Sequence, residues 1–253
     1  MEKLIKNIDD NINFYESINY SISSMPDTLY YPGNIASIIF SAIENRLKTL
    51  RFAVENKFIS DAYVLIRMIY EDILTFIYIE AKMNGKYEDK IVQQWILGKE
   101  KLHDLKMNDL VKFLTKNHKI KECFNVLDVA CKYKDIKQYC NDYVHNNYLK
   151  NLILNTNTHV DCVTQEKHYN RIATYLEALK TLLLASLCIL KPHYAMSSDY
   201  IDHLEMGLSP PQDSQYWVAP FMQEEFDKLY KSNKKVAELI LKYSYMKFEK
   251  NKT

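Results

Sequence analysis

His145 lies in the stretch Gln138–Tyr148, QYCNDYVHNNY, with Asp142 three residues and Asn141 four residues ahead of it. On a helix, residues three and four apart share a face, so both polar side chains sit one turn below the imidazole. Asp142 can then accept a hydrogen bond from one ring nitrogen and leave the other to move protons, the arrangement that orients acid–base histidines. Asn146 and Asn147 add amides able to hold a phosphate oxygen or to end the helix. A histidine at a helix end also acts as a cap, its charge favoured by the dipole, and the residues alone leave both roles open. Tyr139 and Tyr143, four apart, mark the packing side.

A second polar group interrupts the most apolar part of the chain. Residues 61–83, DAYVLIRMIYEDILTFIYIEAKM, are apolar on nearly every face and should form a central helix. Arg67, Glu71 and Asp72 stand in its middle. Arg67 and Glu71, four apart, can pair on one face. Breaking a buried pair costs on the order of 3–5 kcal/mol, so these charges must find partners. One reading is a structural ion pair. The other has Arg67 pointing into the same cavity as His145, and we expect Arg67, Glu71 and residues 142–145 to converge between the two longest helices.

Other chemistries find little footing. Only 4 Gly are present, and no phosphate-binding glycine loop, dinucleotide fingerprint or Ser/His/Asp ordering is visible. The seven histidines are scattered with no H-x-x-x-H pair, so we expect neither a metal nor a cofactor. Five cysteines without C-x-x-C spacing predict free thiols in a reducing compartment.

The hexapeptide Cys140–His145, C-N-D-Y-V-H, resembles the motif of the HEPN superfamily, prokaryotic helical domains of toxin–antitoxin and phage-defence systems. That motif runs Arg, a polar residue (often Asn), three variable residues, then His. Asn141 and His145 occupy matching positions, and Cys140 stands where the family's arginine does. The combination of AYVLIRMIYEDIL (62–74) with YVHNN (143–147) is also similar to HEPN-like bacterial proteins that carry Arg and Glu on one long helix and Tyr-x-His on a later one. The resemblance covers roughly residues 35–190. It implies a homodimer with the histidine helix at its interface, a cognate antitoxin or defence-system partner, and metal-independent cleavage of RNA. His145 would be the acid–base group and Asn141 a positioning residue, with Asp142 orienting and Arg67 or Lys137 supplying charge. A neutral thiol cannot replace arginine's planar fork. The alternative implied by Cys140 is therefore the same fold without catalysis, an adaptor or sensor that binds a protein or RNA partner.

These residues need long helices to position them. Few glycines, 6 prolines and apolar residues at helical spacing predict an all-α fold: an antiparallel helical bundle with long central helices and a C-terminal helical appendage. Helices are expected over 2–24, 34–56, 60–83 (with Ser60 as N-cap), 86–103, 106–133, 135–148, 164–191, 216–231 and 233–248. Residues 1–195 would form the bundle, and 196–253 a linker and helical hairpin packed on it. With 33 basic and 32 acidic side chains the net charge is +1, which advertises no nucleic-acid or membrane partner. Only residues 231–253 are lopsided, with seven lysines against two glutamates. The charged N-terminus does not read as a signal peptide, and the longest apolar run, residues 181–190, is too short to span a bilayer. A soluble, cytoplasmic protein is expected.

Overall fold

The computed structural model describes residues 1–23, 34–83, 90–99, 112–113, 115–155 and 160–250. Among them are eleven α-helices and no strand, so the chain is all-α. Three long helices come first: α1 (Glu2–Ser23), α2 (Asn34–Glu55) and α3 (Ile59–Met83). Each buries an i, i+3/i+4 stripe. On α1 it is Leu4, Ile8, Ile12, Tyr15, Ile18 and Ile22. On α2 it is Ile35, Ile39, Ile43 and Leu47 with Phe40, and Ile38 is exposed. α1 packs along α2, and α2 along α3.

α4 (Lys90–Ile96) and α5 (His118–Leu127) follow, and the stops expected at Pro26–Gly33 and Asn84–Gly85 lie outside the described residues, as do 100–111. Asp128, at φ 52, ends α5, and a π-helical turn, Val129–Tyr133, carries the chain into α6 (Lys134–Val144). The helix expected over 135–148 ends four residues early, at Val144, Asn146 turns the chain at φ 48, and a short α7 (Leu149–Ile153) follows. The 29-residue α8 (Cys162–Leu190) is the longest. Asp161 caps it, its side chain accepting from the Thr164 backbone N–H at 2.9 Å. By length and composition α8 could cross a membrane, but 72% of its most apolar stretch is buried inside the fold, as in the core helix of a soluble protein.

The C-terminal part adds α9 (Asp199–Glu205), α10 (Pro220–Ser232) and α11 (Lys234–Tyr243). Met222, Phe226, Leu229, Val236 and Ile240 join the same continuous core as the first three helices. Two polar ties reinforce the seam. Lys180 of α8 meets Glu225 of α10 at 2.8 Å, both 7% exposed, and Lys242 of α11 meets Glu122 of α5 at 2.9 Å, with the Tyr243 hydroxyl on the same carboxylate. The C-terminal lysines are thus partly spoken for: Lys242 by Glu122, and Lys247 by Asp213 at 2.9 Å.

Candidate functional site

α6 packs against α3, and its buried stripe is Ile136, Cys140 and Tyr143, at i, i+4 and i+7. This explains the cysteine at the position where the HEPN motif has arginine. Position 140 is fully buried, and burial pushes its thiol up to about 12, although the nearby Arg67 charge opposes the shift. A thiol so protonated is neither a nucleophile nor a phosphate ligand.

One flank of α6 meets Arg67. Its Nε donates to Asn141 Oδ1 at 3.0 Å, and its Nη2 sits 2.5 Å from Glu71 Oε1. The arginine side chain is 11% exposed and Glu71 57%, so the pair is anchored at one end and hydrated at the other. The guanidinium lies 5.3 Å from the Tyr70 ring centroid, and Nη1 is buried with no hydrogen-bond partner among the described residues. Lys137, one turn before Asn141, has its pKa lowered by burial and then by the Arg67 charge, with Glu71 opposing. Asp72, the next residue on α3, turns away and pairs with Arg46 of α2.

The expected convergence is therefore partial. Arg67, Glu71 and Asn141 are joined by hydrogen bonds, and among the described residues none links Asp142 or His145 to them. α6 ends at Val144, and His145, at φ −99 and ψ 2, occupies the cap, its backbone N–H bonded to Asn141 O at 3.1 Å. Asn146 follows in the left-handed region at φ 48. The Asp142 carboxylate accepts from Asn147 Nδ2 at 2.9 Å. His145 is exposed, and its ring makes no hydrogen bond among the described residues.

The asparagines around His145 have their own work. Asn151, fully buried, donates from Nδ2 to Asp142 O at 2.6 Å, and its backbone carbonyl accepts from the Ser60 hydroxyl. Asn155 Oδ1 accepts from the Ser60 N–H at 2.9 Å. Ser60 is thus not the N-cap of α3. It lies inside the first turn, and Asn155, 95 residues on, satisfies its amide, one of the donors a helix start leaves open. Most of the polar clustering near His145 is a buckle between the end of α6 and the start of α3.

The other flank of α6 carries an aromatic group that spacing did not reveal. Tyr63 of α3 is fully buried, stacks on Tyr143 with centroids 4.4 Å apart, and its hydroxyl lies 2.9 Å from His168 Nδ1 of α8. Tyr143 donates its hydroxyl hydrogen to Tyr139 at 2.9 Å. Arg171, one turn after His168, lies over the Tyr139 ring at 4.3 Å, and Tyr175 packs edge-on beside it. Burial, then the Arg171 charge, holds His168 below its ordinary pKa. The signal that could have found this group is His168-x-x-Arg171 on one helix face, together with tyrosines four apart on α6.

Around α7 several apolar side chains are exposed among polar ones. Val144, Tyr148, Leu149, Leu152 and Ile153 are all exposed, Leu149 to 73%, on both sides of His145 in sequence. Among the described residues no three His, Cys, Asp or Glu side chains are grouped to hold a metal ion. No protein-family model matches the chain, and no curated protein or solved structure matches it.

Proposed function

We propose that the chain is a HEPN-like helical adaptor of a prokaryotic defence or toxin system, which works by docking a second copy of itself on the face around α7. The observation that carries this reading is the run of exposed Val144, Tyr148, Leu149, Leu152 and Ile153 beside His145. Side chains of this kind, contiguous and hydrated, are what a protein interface buries. RNA would seek positive charge, and that segment offers only Lys150, its ammonium 4.8 Å from the Tyr148 ring. The family resemblance puts the partner copy at the same helix. The silent form is favoured because, within one chain, His145 has neither an orienting carboxylate nor an adjacent cation: Asp142 is held by Asn147, and Arg67 by Glu71 and Asn141.

Sedimentation over a range of protein concentrations tests the reading. A reversible dimer is expected, shifted to monomer by Leu149→Lys with Leu152→Lys. A monomer at every concentration overturns it. The second reading, metal-independent ribonuclease, has one observation in its favour: the exposed His145 imidazole, whose missing cation a partner copy could supply at the same face. In that case His145 takes the proton of the ribose hydroxyl as its oxygen attacks the adjacent phosphorus. The bond to the next nucleotide's oxygen breaks, leaving a cyclic phosphate and a free hydroxyl. Cleavage of cellular RNA in EDTA by the protein, absent with His145→Ala, would establish it.

A further inference from the structure

The flank of α6 opposite Arg67 gathers an arginine, an imidazole and a phenol, with the Tyr139 hydroxyl also a hydrogen-bond partner of Arg171. Arg171 is exposed and rests on the Tyr139 ring, and no carboxylate among the described residues pairs with it. His168 precedes it by three residues on α8, so the two side chains are neighbours on one helix face. Tyr139 comes from α6. Its oxygen already accepts from Tyr143, which leaves its own hydrogen to donate. His168 and Tyr139 are half-buried, so these donors lie at the rim of the fold, with the buried Tyr63 and Tyr143 behind them.

The direction of the hydrogen bonds sets what the imidazole can offer. Burial raises the pKa of Tyr63, so its phenol keeps its proton, and His168 is held neutral by burial and by Arg171. A neutral ring has one accepting and one donating nitrogen. In the tautomer in which Tyr63 donates to Nδ1, the hydrogen sits on Nε2, away from the tyrosine. A guanidinium fork, an imidazole N–H and a phenol O–H then stand together, where a planar arginine head suits two oxygens of one phosphate.

We propose that His168, Arg171 and Tyr139 form a binding site for a phosphoryl oxyanion, either the terminal phosphate of a nucleotide or a phosphate of an RNA backbone. The site is separate from the α7 face and does not depend on dimerisation. Tyr63 and Tyr143 act as positioning residues that fix the imidazole and the Tyr139 hydroxyl.

Calorimetric titration of the full chain with inorganic phosphate, adenosine monophosphate and a short single-stranded RNA lacking a terminal phosphate tests this. At least one probe is expected to bind, and Arg171→Met should weaken it about tenfold or more, the loss of one charge-assisted pair. Tyr139→Phe, which keeps the ring under Arg171 and removes its hydroxyl, should weaken it by a smaller factor. Both variants should retain the helical circular dichroism of the parent, with a modestly lowered unfolding midpoint in Tyr139→Phe, where the buried Tyr143 hydroxyl loses its acceptor. Tighter binding of the nucleotide than of the RNA identifies a terminal phosphate as ligand, and the reverse identifies a backbone phosphate. No binding of any probe at millimolar concentration, or equal binding by parent and Arg171→Met, overturns the proposal. Neither variant touches Leu149 or Leu152, so this test and the dimer test fail independently.

Discussion

Arg67 and Arg171 both reach α6, from α3 and α8, and they differ in what the fold asks of them. Arg67 is buried among α3 and α6 groups, with Asn141 and Glu71 consuming two of its nitrogens. Arg171 lies exposed on an aromatic face with no counter-charge among the described residues. A cation that joins two helices is occupied by the joining. A cation that lies on a surface already built by others remains available to a ligand. The arginine most visible in the sequence, on the most apolar helix, is the structural one.

The largest effect should come from the floor beneath Arg171 rather than from Arg171 itself. Tyr63→Ala removes a fully buried ring stacked between α6 and α8, and should cost about 3–5 kcal/mol in urea unfolding, as for other buried aromatics. Next comes the direct contrast of the arginines. Arg67→Met should cost about 1–3 kcal/mol, since Asn141 loses its charged donor. Glu71, more than half exposed, rehydrates and adds little. Arg171→Met should cost less than about 1 kcal/mol, the scale of an exposed cation–aromatic contact. Equal losses for the two would erase the distinction. His145→Ala should shift stability by no more than about 0.5 kcal/mol, as for exposed positions without partners, so any functional loss in that variant reflects chemistry or docking.

The remaining contrast is a pH dependence on the Arg67 helix. Burial raises the Asp72 carboxyl from 3.8 to about 6, with Arg46 opposing and Glu71 adding to the shift. A carboxyl raised on folding contributes stability that is fully present below its unfolded value and is lost as pH rises through its folded value. Unfolding free energy should therefore carry a declining component between about pH 4 and 6 that Asp72→Asn removes. A variant with the same pH profile as the parent would show that Arg46 neutralises Asp72 throughout.

The helices were legible because an amphipathic stripe is written locally. Leu4, Ile8, Ile12 and Ile18 of α1, or Ile136, Cys140 and Tyr143 of α6, need no partner to be read at helical spacing. The pairing of Arg67 with Glu71 was legible for the same reason. The fate of His145 was not, because it turns on where α6 stops. The end at Val144 is enforced by Asn151 and Asn155 reaching back to Asp142 and Ser60, and no window around residue 145 contains the last of these. The aromatic flank was hidden by distance along the chain. Tyr63, Tyr139 and His168 meet through three helices, and each tyrosine alone reads as ordinary core.

The buckle between Ser60 and Asn151 joins residues 91 positions apart. Closing so long a loop costs more chain entropy than docking α1 on α2 or α2 on α3, whose residues are near in sequence. During synthesis the first three helices can assemble before Asn151 and Asn155 have been made. Until those amides arrive, the first turn of α3 keeps an open backbone donor and α7 has nothing to hold it. Pulse-labelled hydrogen exchange during refolding should then show the Ser60 amide protected after those of Ile43 and Leu47, and simultaneous protection would argue against this order. The apolar face around α7 is, on this account, the last part of the surface to take shape. A second copy docking there, as proposed, would meet only a chain that has finished folding.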